Sequence, residues 1–200
     1  METKSIIYGT LLGDAYIPKP RIIKTKSRGG QNNNLRYTHS KKQQDWALYK
    51  AVRINMPFTV YQRDRYDKRT GKTHGSFEII HSANSYFNDI RETFYPNGTK
   101  IVTQEILDVL TPEAIAVWYC DDGNLYTNKK QYLCHLTLST NSFSDGERAL
   151  IIDYFKSNYG LNFKSTTQGA IRLTNKSQAE LFLSHFGQYI PECMKYKTLI

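Results

Sequence analysis

Two apolar runs in this chain end alike. Ile6-Ile7-Tyr8-Gly9-Thr10-Leu11-Leu12-Gly13 leads into Asp14-Ala15-Tyr16, and Ala114-Ile115-Ala116-Val117-Trp118-Tyr119-Cys120 leads into Asp121-Asp122-Gly123. Each run has room for two or three helical turns, and each places an acid where the helix stops. A helix C-terminus carries partial negative charge, so a carboxylate there works against the local dipole. An acid before a small residue can simply begin a turn. Its recurrence after a second apolar run shifts the balance toward a paired acidic site.

The segments between the runs repeat a plan. In the first half, a helix over residues 4–13 is followed by Pro18 and Pro20, which forbid helix and suit entry to a strand. Arg21–Lys26 and Leu35–Ser40 predict a hairpin across the polar turn Ser27–Asn34. A helix follows from Lys41, with Trp46, Leu48, Tyr49 and Val52 as expected packing residues, ending by Pro57. Phe58–Tyr66 and Ser76–His81 predict a second hairpin across Asp67–Gly75. Ser82 or Asn84 can cap a helix to Phe94, which Pro96-Asn97-Gly98 stops.

In the second half, Thr111-Pro112 places a capping hydroxyl before a proline at the first helical position. Asn124–Thr127 and Tyr132–Thr140 predict a hairpin. Ser144-x-x-Glu147 fits a capping box for a helix to Tyr159, ended by Gly160. Leu161–Thr166 and Ala170–Leu173 predict the last hairpin, Asn175 or Ser177 opens a helix to Phe186, and Pro191–Lys197 closes the plan. Each half thus orders its elements αββαββα, an internal duplication of pattern rather than of close identity. The expected class is α+β, with two pseudo-symmetric subdomains over residues 1–105 and 106–200, each carrying an antiparallel sheet. Gly9 in a helix interior costs roughly 0.5–1 kcal/mol, which close approach of a second helix would explain. If the two glycine-containing helices pack together, Asp14 and Asp122 meet at the foot of their interface.

Charge narrows the partner. Lys and Arg number 27 against 18 Asp and Glu, a net charge of +9. Residues 1–100 hold 18 of the bases and 8 of the acids, and Lys19–Lys42 has eight bases and no acid. A solvated surface seldom excludes acids for that long, so phosphate contact is the better explanation and nucleic acid the expected partner. The candidate DNA contacts are Arg21, Lys24, Lys26, Arg28, Gln31, Asn32, Asn33, Asn34 and Arg36 on the first hairpin, and Arg63, Arg65, Arg69 and Lys72 on the second. In the other half they are Lys129, Lys130, Lys164 and Arg172. Amide side chains suit base edges in a major groove, while Arg and Lys suit phosphates or guanine. Three scattered cysteines make neither a disulfide framework nor a zinc site and fit a reducing, intracellular compartment. No run reaches the roughly 20 apolar residues of a membrane span, and the first residues do not have the pattern of a secretory signal.

Two carboxylates held close repel unless a cation intervenes. Hard oxygen ligands with water completing the shell suit Mg2+, with Mn2+ as the substitute. Asp14 and Asp122 are the candidate ligands, with Ala15 and Asp121 beside them. Such a metal would activate water for phosphodiester hydrolysis. Lys100 and Lys197, each following a proline turn late in its half, are candidates to polarise the water or the phosphate. His39 and His135 are expected to be surface or groove residues rather than metal ligands.

Gly9-Thr10-Leu11-Leu12-Gly13-Asp14-Ala15 and Val117-Trp118-Tyr119-Cys120-Asp121-Asp122-Gly123 resemble the two signature helices of the single-chain LAGLIDADG homing endonucleases, closest in flavour to their intron-encoded branch. Pro191-Glu192-Cys193-Met194-Lys195-Tyr196-Lys197 resembles that branch's ending, and Lys100 matches the first-half lysine. The resemblance implies sheets forming a saddle over the major groove. It implies a monomer that makes a double-strand break at an intron-insertion site of about twenty base pairs, in an organelle or another intron-bearing compartment. The acid before the last small residue of each motif, Asp14 and Asp122, would hold catalytic metal, with Asp121 in support. Relatives that act as maturases leave intron RNA open as a partner, and DNA binding without cleavage is a third reading. Ala15 departs from the commoner glycine, and Val117 stands where the first motif has Gly9.

Overall fold

The computed structural model describes residues 2–19, 32–127 and 133–198, without the side chains of Arg65, Leu133 and Cys134. Two compact units emerge, Asp14–Lys100 and a second made of Met1–Gly13 with Ile101–Ile200. Dividing the chain by repeat, near residue 105, and dividing it by packing are different operations. Packing groups the first helix with the second half.

In the Asp14–Lys100 unit, strands β1 (Arg36–Ser40), β2 (Phe58–Asp67) and β3 (Lys72–His81) form an antiparallel sheet in the order β1-β3-β2. Tyr16 adds an antiparallel bridge to Arg36. Side chains alternate across a sheet, and Tyr37, His39, Phe77, Ile79 and His81 fill the buried face. Helices α2 (Gln44–Ile54) and α3 (Tyr86–Phe94) contribute Trp46, Ala47, Ala51 and Ile54, and Phe87, Ile90 and Phe94, to the same core. The α2 stripe corrects one expectation. Trp46 is buried, but Val52 is 67% exposed and Lys50 is fully buried. Helical spacing from Trp46 runs through 47, 50, 51 and 54, so position 52 faces away. The Lys50 ammonium lies 4.5 Å from the Tyr37 ring centre and 5.2 Å from that of Trp46, which lets aromatic faces offset its desolvation.

The second hairpin is also longer than expected. Ladder pairing continues to Asp67 and Lys72, leaving a turn over residues 68–71 with Gly71 at φ 66°. Lys72–His74 are all exposed, so no apolar alternation marked them as strand. α3 starts at Tyr86 with Ser85, rather than Ser82 or Asn84, at its N-cap, while Asn84 Oδ1 accepts from the Tyr86 N–H at 2.9 Å just before it. The predicted strand Arg21–Lys26 and most of its turn lie outside the described residues.

In the other unit, the short α4 (Gln104–Asp108) precedes α5 (Pro112–Asp122), and α1 (Glu2–Leu12) and α5 run side by side in the same direction. Ser5 meets Thr111, Oγ to Oγ1 at 3.1 Å, and accepts the Thr111 N–H at 2.7 Å. Further along, a Cβ at Gly9 would lie 2.9 Å from the Ala114 carbonyl carbon and nearer still to its oxygen. Glycine is thus required by close backbone approach, against Ala114 rather than Val117. Thr111 caps α5 through the Ala114 N–H, and the Ser144–Glu147 capping box opens α6 (Asp145–Tyr159), which Gly160 ends at φ 66°. Glu147 also accepts the Val102 N–H at 2.7 Å. Partial burial alone would raise its pKa, but the Ser144 hydroxyl and N–H, the Val102 N–H and Arg148 together hold it below the ordinary value.

The sheet orders β4 (Gly123–Thr127), β5 (Leu133–Leu138), β7 (Ile171–Leu173) and β6 (Lys164–Ser165) as β4-β5-β7-β6, all antiparallel. Strand β6 is only a fragment of the expected Leu161–Thr166. Leu161 and Phe163 are buried outside the ladder. Trp118, Phe155, Phe163, Phe182 and Phe186 build the aromatic core between α5, α6 and α7 (Lys176–Phe186). A 3-10 helix over Glu192–Lys197 closes the unit. Among the described residues, no helix is long and apolar enough to cross a membrane.

Candidate active site

Each unit holds one acid of the pair with one lysine beside it. Parallel packing brings the C-terminal ends of α1 and α5 to the same end of their unit. A Cβ at Gly13 would meet the Asp121 carboxylate at 2.5 Å, so glycine at the end of α1 leaves room for the Asp121 side chain. Asp122 is the last residue of α5 and half-buried. Gly123 then turns at once into β4. A Cβ there would overlap the Tyr119 ring, so the second motif needs glycine where the first tolerates a buried Ala15.

Lys197 arrives from the closing 3-10 helix. Its ammonium donates to the Cys120 carbonyl at 2.5 Å and reaches the Asp121 carbonyl at 3.4 Å. The last carbonyls of a helix have no partner within it, and a cation there offsets the dipole that opposes Asp121 and Asp122. The Tyr119 hydroxyl donates to the Lys197 carbonyl at 2.8 Å, anchoring that backbone independently of the ammonium. Burial pushes the Tyr119 pKa well up, which keeps this hydroxyl a donor. In the other unit, Asp14 exposes 42% of its side chain, and the Lys100 ammonium donates to the Ala15 carbonyl at 2.9 Å. The two lysines thus use the same device, a backbone carbonyl within two residues of the acid.

The donors at hand are carboxylate oxygens, with the Ala15 carbonyl adjoining one of them. Both acids are at least partly open to water. Hard oxygen ligands with room for water fit Mg2+ or Mn2+. His39 corrects an expectation: predicted at the surface or in the groove, it is buried. Its side chain is 3% exposed, and Nδ1 lies 3.5 Å from Asp14 Oδ2. The signal was available: Leu35 just before β1, then Tyr37 and His39 on it, recur at every second position, and all three are buried.

The exposed sheet faces hold most of the described candidate contacts. Register places Arg36 and Thr38 on β1 beside Ile80 and Glu78 on β3, with Thr59, Tyr61 and Arg63 opposite on β2. Arg36 Nε donates to Asn34 Oδ1 at 3.0 Å, which aims the guanidinium. Arg63 approaches Glu78 at 3.5 Å, and Arg69 and Lys72 sit exposed at the hairpin end, Arg69 near Asp67. Asn33 is buried, and its side-chain amide donates to Asn88 Oδ1, while Asn32 accepts from the Asn88 amide. Those two side chains tie the loop to α3.

On the second sheet, Asn124, Tyr126, His135, Thr137, Lys164 and Arg172 share a face by register. Tyr126 stacks on His135 at 4.7 Å. Partial burial and the Arg172 charge both lower the His135 pKa. Arg21, Lys24, Lys26, Arg28, Gln31, Lys129 and Lys130 lie outside the described residues, as does the Arg65 side chain.

Known proteins share this architecture. The homing endonuclease I-WcaI, solved bound to its DNA recognition sequence, superposes with a TM-score of 0.81 over 98% of this chain and 84% of its own, at 22% identity. An uncharacterized protein of Methanocaldococcus jannaschii is 28% identical over 98% of this chain and 73% of its own length. A probable intron-encoded endonuclease of Wickerhamomyces canadensis is 27% identical over 96% and 82%, and a cytochrome b mRNA maturase of Debaryomyces hansenii 24% identical over 98% and 73%. The chain spans only 46% of the RecA protein of Mycobacterium gastri that it also matches. The sequence profile of the LAGLIDADG DNA endonuclease family matches residues 4–181. With both acid-ended helices inside that match, the α+β chain belongs to the LAGLIDADG DNA endonuclease family.

Proposed function

We propose that this protein is a site-specific endonuclease that makes a double-strand break in a long DNA target by metal-dependent phosphodiester hydrolysis. The observation that carries the reading is the acid–lysine pair in each unit: Asp14 with Lys100 on the Ala15 carbonyl, and Asp122 with Lys197 on the Cys120 carbonyl. One acid–lysine pair for each strand is what cutting two strands asks for.

A divalent cation, Mg2+ or Mn2+, would supply Lewis-acid activation of water and charge for the leaving oxygen. Asp14 in one unit and Asp122 in the other would each hold such a cation, with Ala15 and Asp121 adjoining. Asp121, packed against Gly13, supports the end of the helix. Lys100 and Lys197 hold point charges near the scissile phosphates. The two exposed sheet faces lie along the major groove, Arg36, Arg63, Arg69, Lys72, Lys164 and Arg172 contacting backbone or base edges. The protein acts as a monomer, with 1–105 and 106–200 as its two repeats, in the compartment that houses its target gene.

Incubating the protein with a plasmid carrying the uninterrupted insertion junction, with Mg2+ or with chelator, tests this. Linearisation only with metal is expected, and Asp14→Asn or Asp122→Asn should abolish double-strand cutting while sparing binding. Intact plasmid under every divalent ion would sink the nuclease reading. The maturase relative favours a second activity, assistance of intron RNA folding. Retained splicing support in an Asp14→Asn, Asp122→Asn double variant would reveal it, and no RNA binding would dismiss it.

A further inference from the structure

His39 has a chemistry that the paired acids do not. Its imidazole is almost wholly buried on the inner face of β1, packed edge-on against Tyr37 at 6.0 Å between ring centres. A buried imidazole on a strand has little freedom, so the direction of Nδ1 is set by the sheet. That nitrogen faces the carboxylate of Asp14 at 3.5 Å, while the carboxylate itself is open to solvent.

The separation is informative. A charge-assisted hydrogen bond between such groups closes to about 2.7–2.9 Å. Two donors at right angles on one cation, each at about 2.1 Å, lie about 3.0 Å apart. At 3.5 Å the pair is too open for a strong hydrogen bond. A small inward movement of the more exposed partner, Asp14, would bring both atoms onto one ion. The buried partner need not move.

We propose that His39 Nδ1 is a nitrogen ligand of the divalent cation held by Asp14, making that position a mixed nitrogen–oxygen site. This rests on the reading of Asp14 as a metal ligand. The consequence is a preference. Imidazole suits transition metals, whereas carboxylate, carbonyl and water suit Mg2+. The Asp14 position should therefore favour Mn2+ or Co2+ over Mg2+ more strongly than an oxygen-only position would.

Binding of Mn2+ alone to the full chain, followed by electron spin echo envelope modulation, tests the ligand directly. In an Asp122→Asn background, which leaves the Asp14 position, the spectrum should show a directly coordinated 14N. His39→Gln should remove that signal and weaken Mn2+ binding about tenfold, with Mg2+ binding changed less than threefold. Bound Mn2+ without nitrogen coupling, together with loss of binding in Asp14→Asn, would overturn the His39 proposal and leave Asp14 as a ligand. A His39→Gln loss equal for Mn2+ and Mg2+, again without nitrogen coupling, would reduce His39 to a positioning residue and also overturn it. If Mn2+ binding is indifferent to Asp14→Asn, the metal reading of Asp14 itself falls.

Discussion

Replacing Gly9 with alanine sets two effects of opposite sign against each other. In a helix interior, alanine is favoured over glycine by about 0.5–1 kcal/mol. The new Cβ, however, would sit 2.9 Å from the Ala114 carbonyl carbon and 3.0 Å from its Cα. Those atoms are α5 backbone, so no side-chain rotation relieves the overlap and the two helices must part by several tenths of an ångström or more. A gap of 0.5–1 Å forfeits about a quarter to a half of each contact's attraction, along a seam where Ser5 meets Thr111, Gly9 meets Ala114 and Gly13 meets Asp121. Overpacking of this kind costs about 1–3 kcal/mol, which exceeds the propensity gain.

The net expectation for Gly9→Ala is a loss of about 1–2 kcal/mol. At about 2–4 °C per kcal/mol for a chain of this size, Tm falls by about 2–8 °C. Gly146 is the matched control. It lies in the first turn of α6, and a Cβ there meets nothing within 4 Å. Gly146→Ala should hold Tm or raise it by about 1–3 °C, since only the propensity term remains. Thermal and urea denaturation of both variants checks the pair. A Gly9→Ala protein as stable as wild type would refute the close-contact account of the α1–α5 seam.

Lys197→Met should cut the cleavage rate by about a hundredfold or more while leaving the closing 3-10 helix docked through the Tyr119 hydroxyl; single-turnover kinetics beside a melting curve separates the two effects. Glu78 is an acid on a basic sheet face, 3.5 Å from Arg63, and carboxylates accept from the cytosine amino group. Glu78→Gln should therefore relax base preference at one target position, read by binding selection from a randomised site, with the other positions unchanged. His81 is buried, and burial lowers its pKa from 6.5 to about 4. The folded state then resists protonation that the unfolded chain accepts, so stability is full above pH 6.5 and declines as pH falls toward 4. The decline should reach about 2–3 kcal/mol, and His81→Phe should flatten it in urea denaturation at stepped pH.

Much of the fold was legible because its signals are local. Thr111-Pro112, the Ser144–Glu147 box and Gly160 mark helix ends through bonds within a few residues, and each stands where the chain predicts. Gly9 announced a close helix approach by its cost alone. The errors came where burial overrides polarity. Val52 is expected in the core on residue type, while helical spacing instead buries Lys50 and turns Val52 outward. Asn33 looked like a base reader but is spent on Asn88, a partner 55 residues away that no local pattern names. Lys72–His74 extend a strand whose ladder needs no apolar side chain.

The chain by itself determined that two apolar helices end in acids, that basic residues crowd its first half, and that the plan is duplicated. Those properties follow from residue type and period, which sequence states outright. Only the tertiary structure decided which atoms serve each acid. Lys100 and Lys197 find backbone carbonyls 85 and 77 residues away, and β1 turns His39 inward toward Asp14. Such partnerships depend on where distant backbone comes to rest, and that is set by packing of the whole core rather than by any window of residues.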